Sequence, residues 1–327
     1  MIEEKLLNKK INPENFLQEI KVFAPGTVAN LSCGFDILGL AVYGPGDEVI
    51  MRQSNEIGVR IKSITGDDGK LPLNAEKNTV SFPVIQILKD LSLENEIGIE
   101  IELHKKMPIG SGLGSSSAST VAGVFAINEL LGKPLSKDEL LPYCLQGEEL
   151  ACGTAHADNV APALYGGITL IKSYEPIAIR QLPVPKDLYV ALIYPEVDVP
   201  TKEARKLIKD KVSLNNVIKQ TGNLANLIAS LYESDYEGIG NSIKDELIEP
   251  IRSLLIPSFD QMKEIALNEG ALCFGISGSG PSVMALTTNE NVANLIVEKI
   301  KNHLATNQVN SFTYVSKINQ EGPYIIQ

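Results

Sequence analysis

The stretch Pro108-Ile109-Gly110-Ser111-Gly112-Leu113-Gly114-Ser115-Ser116-Ser117-Ala118 decides the reading of this sequence. Before it, Ile97, Ile99, Ile101 and Leu103 alternate with other residues in the period-2 pattern of a half-buried strand, which Pro108 stops. After it, 115–131 reads as a long helix, closed by Gly132 and Pro134 in the order expected of a helix C-terminus. Strand, glycine loop and helix together read either as an anion site or as an ordinary Gly/Ser turn that caps a helix. The glycines let a ligand approach the main chain. The serines open a helix whose first turn offers unpaired N–H groups and the positive end of its dipole. Their hydroxyls can bond phosphate or ligate Mg2+. The Gly-Lys-Ser/Thr of a Walker loop is missing, and the G-x-G-x-x-G fingerprint breaks at Ser115 and Ser117.

Composition makes such a local device necessary. Lys and Arg total 29 against 40 Asp and Glu, a net charge of −11. That balance argues against a nucleic-acid partner, and a phosphate ligand would have to be held against the overall field. The 327 residues suggest about two domains, and 44 % hydrophobic with 21 % charged residues is enough for packed cores. No run of 18 apolar residues predicts a membrane span, and residues 1–10 lack the apolar centre of a secretory signal. Cys33, Cys144, Cys152 and Cys273 are scattered without a CxxC, the usage of a reduced cytosolic protein. Asn30-Leu31-Ser32 matches a glycosylation sequon, which in such a protein is a chance match.

Working outward, 1–18 reads as a helical or loose extension. A strand at 20–23 is stopped by Ala24-Pro25-Gly26, and Ile57, Val59 and Ile61 mark another strand. Ser136 and Glu139 form a capping box. Strands are expected at 167–172, 188–194, 270–276 and 282–286, and helix over most of 202–249 and over 293–304. The Pro-rich stretch 175–185 reads as the linker. This mixture indicates an α+β protein rather than a doubly wound sheet.

Pro108…Gly112-Leu113-Gly114-Ser115-Ser116 resembles the ATP loop of the GHMP small-molecule kinases. Two further segments resemble that superfamily in its order: Ala24–Leu31 followed by Gly34-Phe35-Asp36, and Gly275-Ile276-Ser277-Gly278-Ser279-Gly280-Pro281. Within it the sequence is most similar to the homoserine kinase family. Asn30 and Asp36 match the family's substrate loop. Gly147-Glu148 and His156-Ala157-Asp158-Asn159 match its central signature, and Thr201, Arg205 and Arg252 its later substrate contacts.

The resemblance implies a two-domain GHMP kinase fold. Residues 1–185 (with 1–19 an extension) would form an ATP-binding domain similar to the second domain of ribosomal protein S5, and 186–327 a ferredoxin-like domain. It implies ATP-dependent phosphorylation of the L-homoserine side-chain hydroxyl in threonine biosynthesis, in the cytoplasm, by a homodimer with no membrane or nucleic-acid partner. Residues 108–118 would bind ATP, with Mg2+ held by Ser116 and Glu148. Asn30, Asp36, His156, Asn159, Thr201, Arg205, Arg252 and Gly278 would bind substrate. The catalytic set would be Asn30, Asp36, Glu148, Asn159 and Arg205. A guanidinium fork suits the substrate carboxylate, and Arg205 and Arg252 are the two selected from five arginines. Glu149 should face away from the site.

Many relatives place a catalytic Asp where Asn159 stands and a Lys where Thr27 stands. An Asn cannot act as a general base, so transfer without a side-chain base is expected, with Asp158 the rival candidate. Ser117 replaces a more usual Ala. The competing readings are a GHMP kinase for another hydroxyl substrate and a non-catalytic binding protein. A hydrolase is weaker, since Gly275-Ile276-Ser277-Gly278-Ser279 misses G-x-S-x-G at its last residue.

Overall fold

The computed structural model describes residue 9, residues 11–197, residue 208 and residues 211–326. Its first sheet contains β1 (Glu19–Ala29), β2 (Leu38–Ser54), β3 (Gly58–Thr65), β4 (Gly98–His104), β5 (Ile168–Tyr174) and β6 (Ile177–Leu182). The long strand β2 has two partners on one side: Leu38–Leu40 pair with β5 and Glu48–Ser54 with β4. All its neighbours are antiparallel; β3 and β4 are parallel, joined through α1 (Phe82–Asp90).

Three helices follow: α2 (Ser115–Leu130), α3 (Lys137–Cys152) and α4 (Ala157–Tyr165). Helix α2 packs on β1, β2 and α3 and is buried along nearly its whole length. Its Ser, Ala, Val and Gly residues show no polar face because neighbours surround it.

The second sheet holds β7 (Tyr189–Pro195), β8 (Cys273–Ile276), β9 (Val283–Thr287) and β10 (Ser311–Lys317) in the antiparallel order β10-β7-β9-β8. Between β7 and β8 lie α5 (Leu214–Glu233), α6 (Tyr236–Ser242), α7 (Glu249–Arg252) and α8 (Phe259–Asn268); α9 (Glu290–Thr306) joins β9 to β10. This is the ferredoxin-like arrangement. A last short strand, β11 (Tyr324–Ile325), pairs with β1 and so returns to the first sheet. One core cluster fills the first unit and another lies under α8 and α9. A third joins Val28, Leu38, Leu40 and Leu113 to Val190, Leu192, Leu231 and Met284, so the sheets share a continuous apolar contact.

The α+β expectation holds, as do the strand at Ile99–Leu103, the helix after the glycine loop and the capping box at Ser136. Two expectations change. The first strand does not stop at Ala24-Pro25-Gly26: β1 runs on to Ala29 with a register shift between Pro25 and Thr27. Pro25 lacks an N–H, so the ladder breaks locally and the strand continues past the irregularity. The stretch 175–185 is not a linker, because β6 forms a hairpin with β5 there. Prolines flank β6 rather than interrupt it, which an edge strand tolerates.

The described residues of the N-terminal extension, 9 and 11–17, act as a strap. Asn12 caps a short 3-10 turn at Pro13–Asn15, Ile11 and Phe16 pack on the first core, and the Leu17 N–H donates to Leu130 O (2.9 Å) at the end of α2. Lys9 Nζ donates to Pro134 O and pairs with Glu139 Oε2, both at 2.7 Å. Lys9 and the Ser136 N–H hold the Glu139 carboxyl down at about 2. This stabilisation is complete above the ordinary value of 4.5 and lost as pH falls through 2. Lys9→Met should lower stability at neutral pH by at most about 1 kcal/mol, the scale of a half-exposed pair. In thermal melts the gap from wild type should close as pH is lowered from 4.5 toward 2.

Candidate active site

The glycine loop is shaped by hydrogen bonds on one side. Ser111 O accepts from the Ser282 N–H (3.2 Å) and Leu113 O from the Thr27 N–H (3.0 Å). Gly112 O accepts from Ser277 Oγ (2.8 Å). In a trans peptide the next N–H points opposite the carbonyl, so the N–H groups of residues 112–114 point away from these partners, and Gly112 and Gly114 line the cavity. Gly112 and Gly114 have φ of 81° and 66°. A Cβ at Gly114 would lie 2.0 Å from Thr27 Oγ1, and one at Gly112 would lie 2.7 Å from Ser277 O. Both the left-handed backbone and the close approach demand glycine. The first and third glycine segments thus brace the second.

Beside the loop is a cavity of about 410 Å3. Ser116 begins α2, and Glu148 reaches it from the last turn of α3. Glu148 Oε2 accepts from Ser116 Oγ (3.0 Å) and Ser117 Oγ (2.8 Å). Glu148 is 3 % exposed, and the adjacent Glu149 is exposed to solvent. Two oxygens of hard-ligand type meeting at the glycine loop suit Mg2+, which takes few protein ligands and keeps water and phosphate oxygens. Among the described residues no group of three or more His, Cys, Asp or Glu could hold a metal.

Another part of the wall is tied together at the Gly278 carbonyl, which accepts from Asn30 Nδ2 (2.8 Å) and Arg252 Nη1 (3.0 Å). Asn30 Oδ1 accepts the Asp36 N–H (2.9 Å), and the Arg252 guanidinium carbon lies 5.3 Å from the Phe35 ring centre. Asn30 and Asp36 are both left-handed, with φ of 74° and 60°, conformations that Asn and Asp tolerate better than most residues. His156 precedes α4 and contacts Thr154 Oγ1 at 2.7 Å. Asn159 Oδ1 accepts from Thr27 Oγ1 (2.7 Å). That bond engages the amide oxygen and does not use the NH2 donors.

The cavity therefore brings together Asn30, Asp36, Glu148, His156, Asn159, Arg252 and Gly278 with Ile109, Gly110, Ser111, Gly112, Gly114, Ser115 and Ser116. Pro108 does not line it. The side chains of Leu113 and Ala118 are in the shared core, and Ser117 is buried against Glu148. Thr201 and Arg205 lie outside the described residues.

A family description, GHMP kinases N terminal domain, matches residues 80–167, and a second, GHMP kinases C terminal, matches 227–306. A homoserine kinase of Chlorobium phaeobacteroides (strain BS1) is 42 % identical over 320 residues, covering 95 % of this chain and all of that one. The chain belongs to the homoserine kinase family. A crystal structure of homoserine kinase from Cytophaga hutchinsonii superposes with a TM-score of 0.92 at 54 % identity, over 95 % of this chain and 98 % of that one. The L. major mevalonate kinase, solved with R-mevalonate, shares the fold alone: 15 % identity and a TM-score of 0.70 over 91 % and 96 % of the two chains.

Sequence reasoning missed several of this homoserine kinase family member's cavity residues. Leu71, Pro72, Asn78 and Thr79 line the same cavity as Ile109, and Asn78 Nδ2 donates to Pro72 O at 2.8 Å. Lys105 is buried and paired with Asp47, and Nζ also donates to Ser115 O and Ser119 Oγ, both at 2.8 Å. Asp47 accepts in turn from Ser119 Oγ (2.8 Å) and the Lys106 N–H (3.1 Å). Cys152 Sγ lies 3.1 Å from Glu148 Oε1. The i, i+4 spacing of Glu148 and Cys152 was a usable signal; nothing local in the sequence marks Asp47.

Proposed function

We propose that this cleft transfers the γ-phosphoryl group of ATP to the side-chain hydroxyl of L-homoserine, giving O-phospho-L-homoserine for threonine biosynthesis. One observation carries the assignment of roles: the Ser116–Glu148 pair and the Asn30–Asp36–Arg252 cluster share one cavity. The first is suited to a metal–phosphate group, the second to a small zwitterion. Backbone N–H groups of the loop and the first turn of α2 would hold the phosphates, and the wall of Leu71, Pro72 and Ile109 the adenine. Ser116 and Glu148 would hold Mg2+, which when bound neutralises charge on the transferring phosphate. Arg252 would face the substrate carboxylate, joined by Arg205, and Asp36 the ammonium. His156, Thr201 and Gly278 complete the substrate set.

Phosphoryl transfer depends on positioning and charge stabilisation more than on covalent help. With its acceptor oxygen held by Thr27, Asn159 acts as a donor that orients rather than deprotonates. The hydroxyl proton passes to a phosphate oxygen or water. The same proposal puts the boundary between the ATP-binding and ferredoxin-like units at 185/186; the break between β6 and β7 supports it. A cytoplasmic homodimer is part of the same proposal and rests on the family. Among the described residues, no helix is long and apolar enough to cross a membrane.

The test is ADP release from MgATP with L-homoserine, mevalonate, galactose or no acceptor. Homoserine-dependent release supports the proposal; release with another acceptor alone replaces the substrate. In the same assay Asp158→Asn should retain turnover within about ten-fold of wild type. A loss of 10^2 or more, the scale of a general base, would assign the base to Asp158.

A further inference from the structure

The Glu148 carboxylate is held at both oxygens. Oε2 receives the hydroxyls of Ser116 and Ser117, and Oε1 lies 3.1 Å from Cys152 Sγ. Cys152 is the last residue of α3, four after Glu148, and Gly153 then ends the helix in the left-handed conformation. The spacing puts thiol and carboxylate on one face. The other three cysteines are buried, Cys33 and Cys273 with thiols pushed up to about 12 chiefly by burial. Cys152 alone of the four is half-buried, and it lines the cavity. It is placed as a hydrogen-bond donor rather than as core filling.

We propose that Cys152 is a positioning residue for the metal-facing carboxylate: its S–H engages Oε1, so that Oε2, beside Ser116, is the oxygen offered to the divalent cation. The proposal rests on the reading of Glu148 and Ser116 as metal ligands. A carboxylate free at both oxygens can turn to chelate or swing away. One pinned at Oε1 offers a single oxygen, which suits monodentate ligation in the strict octahedral geometry of Mg2+. Groups that orient a ligand in this way typically change metal affinity ten-fold or more when removed. A thiol is a weak donor, so the effect should lie at the low end, and a serine hydroxyl should replace it.

The measurement is Mn2+ binding by electron paramagnetic resonance, with a non-hydrolysable ATP analogue, for wild type, Cys152→Ala, Cys152→Ser and Glu148→Gln. The Cys152→Ala variant should bind Mn2+ about ten-fold more weakly, with Cys152→Ser within about two-fold of wild type. In turnover Cys152→Ala should raise the Mg2+ requirement and leave the KM for homoserine unchanged. Wild-type Mn2+ affinity in Cys152→Ala, with binding lost in Glu148→Gln, overturns the role of the thiol. Unchanged affinity in both overturns the ligand reading beneath it. Should Cys152→Ala fail to fold, methylthiolation of the wild-type thiol by methyl methanethiosulfonate removes the S–H and releases methanesulfinate. The resulting weaker Mn2+ binding should be reversed by dithiothreitol and be absent in Cys152→Ser; methylthiolated protein that binds Mn2+ normally overturns the proposal.

Discussion

Glu148→Gln should lower kcat/KM by about 10^2–10^3, equivalent to about 3–4 kcal/mol of transition-state stabilisation. Glutamine keeps the shape and an oxygen that can still accept from Ser116 and Ser117, whose hydroxyls bond Oε2 at 3.0 and 2.8 Å. What it loses is the charge. On the proposed metal-ligand role of Glu148, a phosphoryl transition state in a chain of net charge −11 would then lack its main route to metal neutralisation. Structure should survive, so the urea midpoint should stay near wild type while turnover collapses. Activity within about five-fold of wild type would remove Glu148 from the metal position.

Lys105→Met should cause the opposite pattern, a large loss of stability, about 3–5 kcal/mol, because it strands a buried carboxylate. Lys105 and Asp47 have side chains only 2 % and 0 % exposed. Against a typical total stability of about 5–15 kcal/mol, that is a severe defect. The pair also ties β2 to the first turn of α2 through Ser115 O and Ser119 Oγ. Asp47→Asn should therefore destabilise as well, while the double variant Asp47→Leu/Lys105→Met should recover much of the loss, since neither charge is left alone. Urea unfolding of the three variants checks this. A double variant no more stable than Lys105→Met alone would show that the serine bonds, not the stranded charge, set the cost.

What the sequence made legible follows from how locally each feature is encoded. The strand Ile99–Leu103, the helix entering at Ser115 and the capping box at Ser136 declare themselves within a few residues, through period, glycine and cap chemistry. The three glycine segments were legible as a set only through resemblance, and the structure supplies the reason they occur together: the Ser277 hydroxyl and the Thr27 N–H fasten the loop's carbonyls. The Asp47–Lys105 pair spans 58 positions and no spacing rule reaches it. Residues 175–185 misled because prolines mark linkers and edge-strand boundaries alike. The wall at Leu71, Pro72 and Asn78 stayed hidden because its groups belong to irregular backbone, where periodicity has nothing to report. The strap was unreadable because its anchors, Leu130 and Glu139, lie more than a hundred residues away.

The pairing of β11 with β1 has a consequence for the order in which the protein is made. Val22 and Phe23 meet Ile325 and Tyr324, and the two aromatic rings lie 5.0 Å apart. About 300 residues separate these partners, which at about 5–20 residues per second is roughly 15–60 s of translation. Throughout that interval the Val22 end of β1 waits on the ribosome as an open edge, a template for mispairing. Neighbouring closures come equally late: Asn319 O receives the Gly167 N–H, and Val42 bridges to Ile318. The first sheet, on which the glycine loop and α2 are mounted, is therefore not complete until the ferredoxin-like half has been synthesised. A release of nascent chains before residue 318 should yield protein that is protease-sensitive along β1 even where the second unit has folded.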